Sequence, residues 1–216
     1  MEEMPMDELF ELIGKYRIVP VIKLEKVSDA LPLGKALLEA GLPVAEITFR
    51  TPVAQEAIQL LRGNLPSLCV GAGTVTTLSQ IEEAKKAGAM FIVTPGFNPR
   101  IVDTCIEEGI PIIPGVNSPS QIEQGLERGL DILKFFPAEA SGGVKMLKAL
   151  QGPYSDVSFV PTGGIDESNM MQYLQLKNVF AIGGSWMVKE DLINTGKFDV
   201  IKTLCKDALA RLGEPE

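Results

Sequence analysis

The feature that most constrains this chain is a repeat. Short apolar, β-rich runs return at intervals of roughly 20–27 residues: RIVPVIKL (17–24), VAEITF (44–49), LCVGAGTV (68–75), FIVTP (91–95), PIIPGV (111–116), ILKFFP (132–137), SFVPTGG (158–164) and NVFAIGGSW (178–186). Between them lie SDALPLGKALLEAG, PVAQEAIQLLRG, LSQIEEAKKAG, NPRIVDTCIEEG, SPSQIEQGLERG and SNMMQYLQL, whose apolar residues recur at i, i+3 and i+4. That spacing suits a helix lying on a sheet. Gly41, Gly63, Gly88, Gly109 and Gly129 stand where a left-handed residue would end these helices. The interval is that of one βα unit. Strands that are apolar throughout, rather than alternating, imply parallel pairing with both faces covered.

Eight such units predict an α/β fold, a (β/α)8 TIM barrel, with residues 1–216 forming a single domain and no linker. An additional N-terminal helix is expected over MDELFELIGKY. A last helix, FDVIKTLCKDALARL, sets Ile201, Leu204, Ala208 and Leu212 on one stripe. A doubly wound open sheet would use the same units, but the loop after the first strand, LEKVSDA, has no glycine and no GxGxxG.

Composition removes several function classes. The chain has no histidine, which excludes Ser-His and Cys-His nucleophile systems and the usual zinc sites. Acid–base chemistry must then use carboxylates, lysine, tyrosine, cysteine or water. A net charge of −8 argues against a nucleic-acid partner. No apolar run approaches a membrane span, and MEEMPMDELF lacks the layout of a secretory signal. Three scattered cysteines, Cys69, Cys105 and Cys205, without CxxC spacing, read as reduced thiols of a cytoplasmic protein. No acidic cluster suggests a metal.

In a barrel of this kind the chemistry sits at the carboxyl ends of the strands. Side chains alternate along a strand, so AEITFR sets Glu46, Thr48 and Arg50 on one face and Ala45, Ile47 and Phe49 on the other. Glu46 and Arg50 lie about 13 Å apart along the backbone, too far for a tight pair without side-chain reach. They read either as a structural charge network or as an acid/base with a carboxylate clamp. In ILKFFP, Lys134 shares its face with Ile132 and Phe136. Desolvation disfavours an ammonium and frees a lone pair for attack on a carbonyl, so Lys134 is either a nucleophile or the partner of a carboxylate. PTGGIDESN (161–169) and IGGSW (182–186) are glycine-rich loops after the last two strands, where backbone amides can hold a phosphate. Thr74 offers a hydroxyl after GAG, while Pro95 and Gly96 read as turn formers. Lys23, ending the first strand, reads as a solvated rim lysine or as a second cation for an anionic substrate.

In order along the chain, IVPVI, AEITFRT, GAGTV, TPG, IPGV, KFFPAEASGGVKML, PTGGI and GGSW resemble the pyruvate-forming class I aldolases. Members of that family cleave 2-keto-3-deoxy-6-phosphogluconate and, in many cases, 4-hydroxy-2-oxoglutarate. The resemblance implies Lys134 as the Schiff-base lysine, Glu46 as the proton-transferring carboxylate and Arg50 as ligand of the substrate carboxylate. It also implies that Thr74, Pro95 and Phe136 line a keto-acid pocket, and that Gly163, Gly164, Gly184 and Ser185 hold the phosphate. It implies a small phosphorylated keto-acid as partner, a homotrimer, and neither metal nor cofactor. Two rivals share the phosphate loops: a sugar-phosphate isomerase or epimerase, which needs no lysine in the sixth strand, and a non-catalytic sugar-phosphate-binding barrel.

Overall fold

Parallel pairing organises the fold of the computed structural model, which describes residues 5–213. The chain opens with α1 (Met6–Tyr16), over the residues expected for the N-terminal helix. It continues through β1 (Ile18–Ile22), α2 (Ala30–Ala40), β2 (Val44–Thr48), α3 (Ala54–Asn64), β3 (Cys69–Gly73), α4 (Leu78–Lys86), β4 (Ile92–Val93), α5 (Pro99–Glu107) and β5 (Ile112–Ile113). The second half runs β6 (Gly115–Val116), α6 (Pro119–Leu126), β7 (Ile132–Phe135), α7 (Gly143–Leu150), β8 (Ser158–Pro161), α8 (Met170–Leu174), β9 (Ile182–Gly184), α9 (Glu190–Asn194) and α10 (Phe198–Ala210).

The strands form a curled parallel sheet in two parts, ordered β5-β4-β3-β2-β1-β9 and β6-β7-β8. PIIPGV, expected as one strand, is split into β5 and β6 at Pro114. Proline has no N–H for a ladder, yet the Pro114 carbonyl still accepts from the Lys134 amide at 2.9 Å. β5 pairs with β4 and β6 with β7. Between β8 and the approach to β9 run single parallel bridges, Phe159 with Val179 and Thr162 with Gly183. The first strand lies beside the last, with Ile18 opposite Ile182.

Both sheet faces are buried, as the unbroken apolar strands require. Outward residues such as Ile18, Ile47, Val70, Leu133 and Ile182 pack against the helices. On the inner, concave face Val19, Val44, Cys69, Phe91, Ile113, Val160 and Ala181 meet Leu9 and Ile13 of α1. Helix α1 therefore covers the amino end of the sheet, and each of its buried anchors contributes about 1.5–3 kcal/mol.

Three details depart from the sequence expectation. Gly63 does not end a helix, because α3 continues to Asn64, whose side-chain amide donates to the Leu60 carbonyl at 2.8 Å. Gly41, Gly88, Gly109 and Gly129 do adopt positive φ after their helices. Helix α7, in GGVKMLKAL, was not expected from the glycines that precede it. On α10 the buried stripe is Ile201, Cys205 and Ala208; Leu204 is only partly buried, and Leu212 lies beyond the helix end at Ala210.

Candidate active site

Strands β2 and β7 each bring one ionisable side chain to the inner face near their carboxyl ends. The alternation that buries Ala45 and Ile47 outward turns Glu46 and Thr48 inward, and Lys134 follows the same logic between Leu133 and Phe135. Glu46 is 3% exposed and Lys134 4%. Lys134 Nζ lies 3.5 Å from Glu46 Oε1 and 5.3 Å from the centre of the Phe136 ring. A buried ion pair is poor evidence for stability, because desolvation offsets the attraction. A loose pair beneath an aromatic lid is better suited to moving a proton than to holding a fold together.

Room for this carboxylate is made on β3. A Cβ added at Gly73 would stand 2.1 Å from Glu46 Oε1, so only glycine leaves space there. The next residue, Thr74, has a φ of +56°, a left-handed conformation that a β-branched side chain rarely adopts. Such strain persists where surrounding structure imposes it, and it gathers at functional sites. Period-two alternation along the strand carries no signal for it.

Arg50 lies beyond the end of β2, in the turn before α3, and is exposed. It makes no ion pair with Glu46. Its Nε instead donates to Thr48 Oγ1 at 3.1 Å, while the Thr48 hydroxyl donates to the Ile22 carbonyl at 2.8 Å. Arg50 lines two openings. One, of about 270 Å³, includes Thr51, Gln55, Gln80 and Glu83. The other, of about 430 Å³, lies at the ends of β1 and β9 and includes Lys23, Ser185, Lys189 and Glu190. Lys23 is not a solitary cation: it pairs with Glu25 at 2.6 Å and with Glu190 at 2.9 Å. These hydrogen bonds, that to Glu25 first, hold its ammonium above the usual lysine range.

The two glycine loops differ in what they touch. Gly163 and Gly164 have φ values of +101° and +78°, and a Cβ on Gly164 would approach Glu139 Cγ to 2.7 Å. Glu139 hydrogen-bonds the Tyr173 hydroxyl and donates its own amide to the Gly163 carbonyl at 3.1 Å. Burial and then Glu139 push the Tyr173 phenol upward, so it remains a donor. Gly163 packs against Phe136, which links this loop to the Lys134 end of the site. Gly184 lies under the Trp186 indole, and Ser185 opens a short 3-10 turn (Trp186–Val188) rather than leading directly into α9. Pro95 follows β4, and its backbone leaves no room for a side chain at Gly115, where a Cβ would stand 2.5 Å from the Pro95 carbonyl oxygen. Glu139, Tyr173 and Glu190 were not singled out in the sequence, where each looks like an ordinary helix or loop residue. Among the described residues, no group of three or more His, Cys, Asp or Glu is arranged to hold a metal ion.

Over residues 10–204 the sequence matches the aldolase family described as KDPG and KHG aldolase. The chain belongs to that family. It is 50% identical to the 2-dehydro-3-deoxy-phosphogluconate aldolase of Haemophilus influenzae, over 94% of this chain and 95% of that one. Among solved structures, a KDPG aldolase from Legionella pneumophila, with pyruvate captured at low pH as a covalent carbinolamine intermediate, is 41% identical. It superposes with a TM-score of 0.90, covering 95% of this chain and 98% of that one. The 2-keto-3-deoxy-6-phosphogluconate aldolase of Zymomonas mobilis ZM4, solved with 3-phosphoglycerate, is 36% identical with a TM-score of 0.88, covering 95% and 97%. The fold of this family member is thus an α/β fold built on a curled parallel sheet.

Proposed function

We propose that this aldolase is a class I, Schiff-base enzyme that cleaves 2-keto-3-deoxy-6-phosphogluconate to pyruvate and glyceraldehyde 3-phosphate. It also cleaves 4-hydroxy-2-oxoglutarate to pyruvate and glyoxylate. The observation that carries this reading is the buried pair of Lys134 and Glu46, 3.5 Å apart under Phe136.

Proton transfer across the pair gives a neutral amine and a protonated Glu46. The amine attacks the C2 ketone, and a proton passes from nitrogen to oxygen to give the carbinolamine. Glu46 then donates its proton, the C2 hydroxyl leaves as water, and a protonated imine remains. The Glu46 carboxylate, directly or through one water, removes the C4 hydroxyl proton. The C3–C4 electron pair flows into the imine, and the aldehyde departs. Glu46 returns the proton to C3 of the enamine, and water hydrolyses the imine to release pyruvate and Lys134. Arg50 binds the C1 carboxylate, while Thr74, Pro95 and Phe136 line the keto-acid end. Gly163, Gly164, Gly184 and Ser185 receive the distal phosphate.

The same proposal takes the curled sheet as a closed eight-strand barrel in a single domain. The pairing of β1 with β9 and the bridge from Thr162 to Gly183 support it. As the family resemblance implies, the protein works as a cytoplasmic homotrimer on a small keto-acid, with no nucleic acid or membrane as partner. The test is reduction with borohydride in the presence of pyruvate. A covalent adduct is expected on Lys134, located by mass spectrometry of peptides. No adduct, or one on a different lysine, overturns the mechanism.

A further inference from the structure

Sequence alone leaves the part of Lys23 open, and the geometry around it is uneven. Its two carboxylate partners have different origins. Glu25 is two residues away at the same strand end and touches Lys23 at 2.6 Å. Glu190, the first residue of α9, reaches the same ammonium at 2.9 Å from 167 residues further along the chain. Glu190 also lines the cleft of about 430 Å³ in which Lys23, Arg50, Lys189 and Ser185 are gathered. The cations of that cleft would favour an anion, whereas Glu190 and its neighbour Asp191 oppose one.

We propose that Glu190 is a specificity-determining residue: its carboxylate is an exchangeable counter-ion on Lys23 that the distal phosphate of the substrate must displace. The inference rests on reading this cleft as the seat of the distal phosphate. Three observations carry it. Glu190 is 46% exposed and Lys23 24%, so their contact is of the weak, solvent-screened kind that a competing anion can replace. A phosphate brings more charge and more acceptor oxygens to an ammonium than one carboxylate does. Glu25, at 2.6 Å from Lys23 and on the same strand end, is a second tether for the ammonium that does not depend on Glu190. Glu190 thus lowers the affinity for every anionic tail and favours, by comparison, substrates without one.

The experiment compares Glu190→Gln with the wild-type protein on two substrates of the same carbon skeleton, 2-keto-3-deoxy-6-phosphogluconate and its unphosphorylated form. In the variant the ratio of kcat/KM, phosphorylated over unphosphorylated, is expected to rise about two- to fivefold at low salt. The gain should shrink as ionic strength rises. An unchanged or lower ratio overturns the proposal, as does a rise that salt does not diminish. A second arm uses no catalysis: calorimetric titration with glycerol 3-phosphate, which should bind the variant more tightly by the same factor. If the wild-type protein cleaves neither substrate while this tightening is seen, the aldolase reading fails and the role of Glu190 stands. If both substrates are cleaved and neither arm responds to the variant, the role of Glu190 fails and the aldolase reading stands.

Discussion

At the amino end of the strands, the inner sheet face is filled by Val19, Val44, Cys69 and Phe91 and covered by Leu9 and Ile13 of α1. At the carboxyl end the same face carries Glu46, Thr48, Lys134 and Thr162, all buried. Backbone pairing and strand direction are common to the two ends, so what differs is how each group is satisfied. Apolar side chains need only contact, and a helix laid across them supplies it. Buried polar groups need partners or a ligand, and here those partners come from far apart in sequence: Lys134 and Glu46 are separated by 88 residues. Apolar packing therefore concentrates at one end and buried polar groups at the other. Substitutions at the two ends should separate accordingly.

The largest effect is expected at the carboxyl end. On the proposed mechanism, Glu46→Gln should reduce turnover by on the order of 10²–10⁴-fold, since it removes the proposed proton shuttle while keeping side-chain shape. Single-turnover measurements should show slower imine formation, with a melting temperature close to that of the parent. Undiminished turnover would remove Glu46 from the mechanism. Next in size is the mirror case at the amino end. Ile13→Ala should cost about 2–5 kcal/mol of stability in a denaturant titration, with kcat/KM retained. A parallel loss of activity at permissive temperature would mean that the two ends are not independent.

The smallest effect concerns reactivity. Burial pushes the thiols of Cys69, Cys105 and Cys205 up to about 12. An ordinary thiol titrates near 8.5. The folded protein should thus leave all three unmodified by a thiol reagent at pH 8, and the unfolded protein should react at each. The contribution of these protonated thiols is complete below about pH 8.5 and is lost as pH climbs towards about 12. Cys69 shares the inner face with Lys134, so rapid labelling of Cys69 in the native state would contradict a sealed amino end.

Much of this division could be read from the sequence, for a physical reason. Lys134 stands out because a lysine inside an apolar run conflicts with burial, and Glu46 because strand alternation turns it inward. Helix α1 is explicit in its own periodicity. What escaped is what depends on meeting a distant partner. The ion pair between Lys23 and Glu190 joins residues 167 positions apart. The left-handed Thr74 reflects the packing imposed on it and not its own preference. The split at Pro114 depends on which neighbours β5 and β6 find. Arg50 was expected on the face of Glu46, yet its backbone has already left the strand, and its guanidinium reaches back only as far as Thr48.

The pairing of first strand with last has a consequence for the growing chain. Arg17, at the start of β1, donates its Nε to a carbonyl 163 residues later, at Phe180. At about 5–20 residues per second on the ribosome, roughly ten to thirty seconds pass before that segment exists. During that time β2 can cover one edge of β1, but the other edge waits unpaired, which is the situation that invites a neighbouring chain to add a strand. The backbone groups left waiting belong to Arg17 and its alternates Val19 and Val21, since it is the Arg17 carbonyl that finally accepts from the Ile182 amide at 2.9 Å. Pro20 falls in the other set and faces β2, so its missing N–H leaves the waiting edge unguarded, and the nascent first strand stays open to an intruder until β9 has been made.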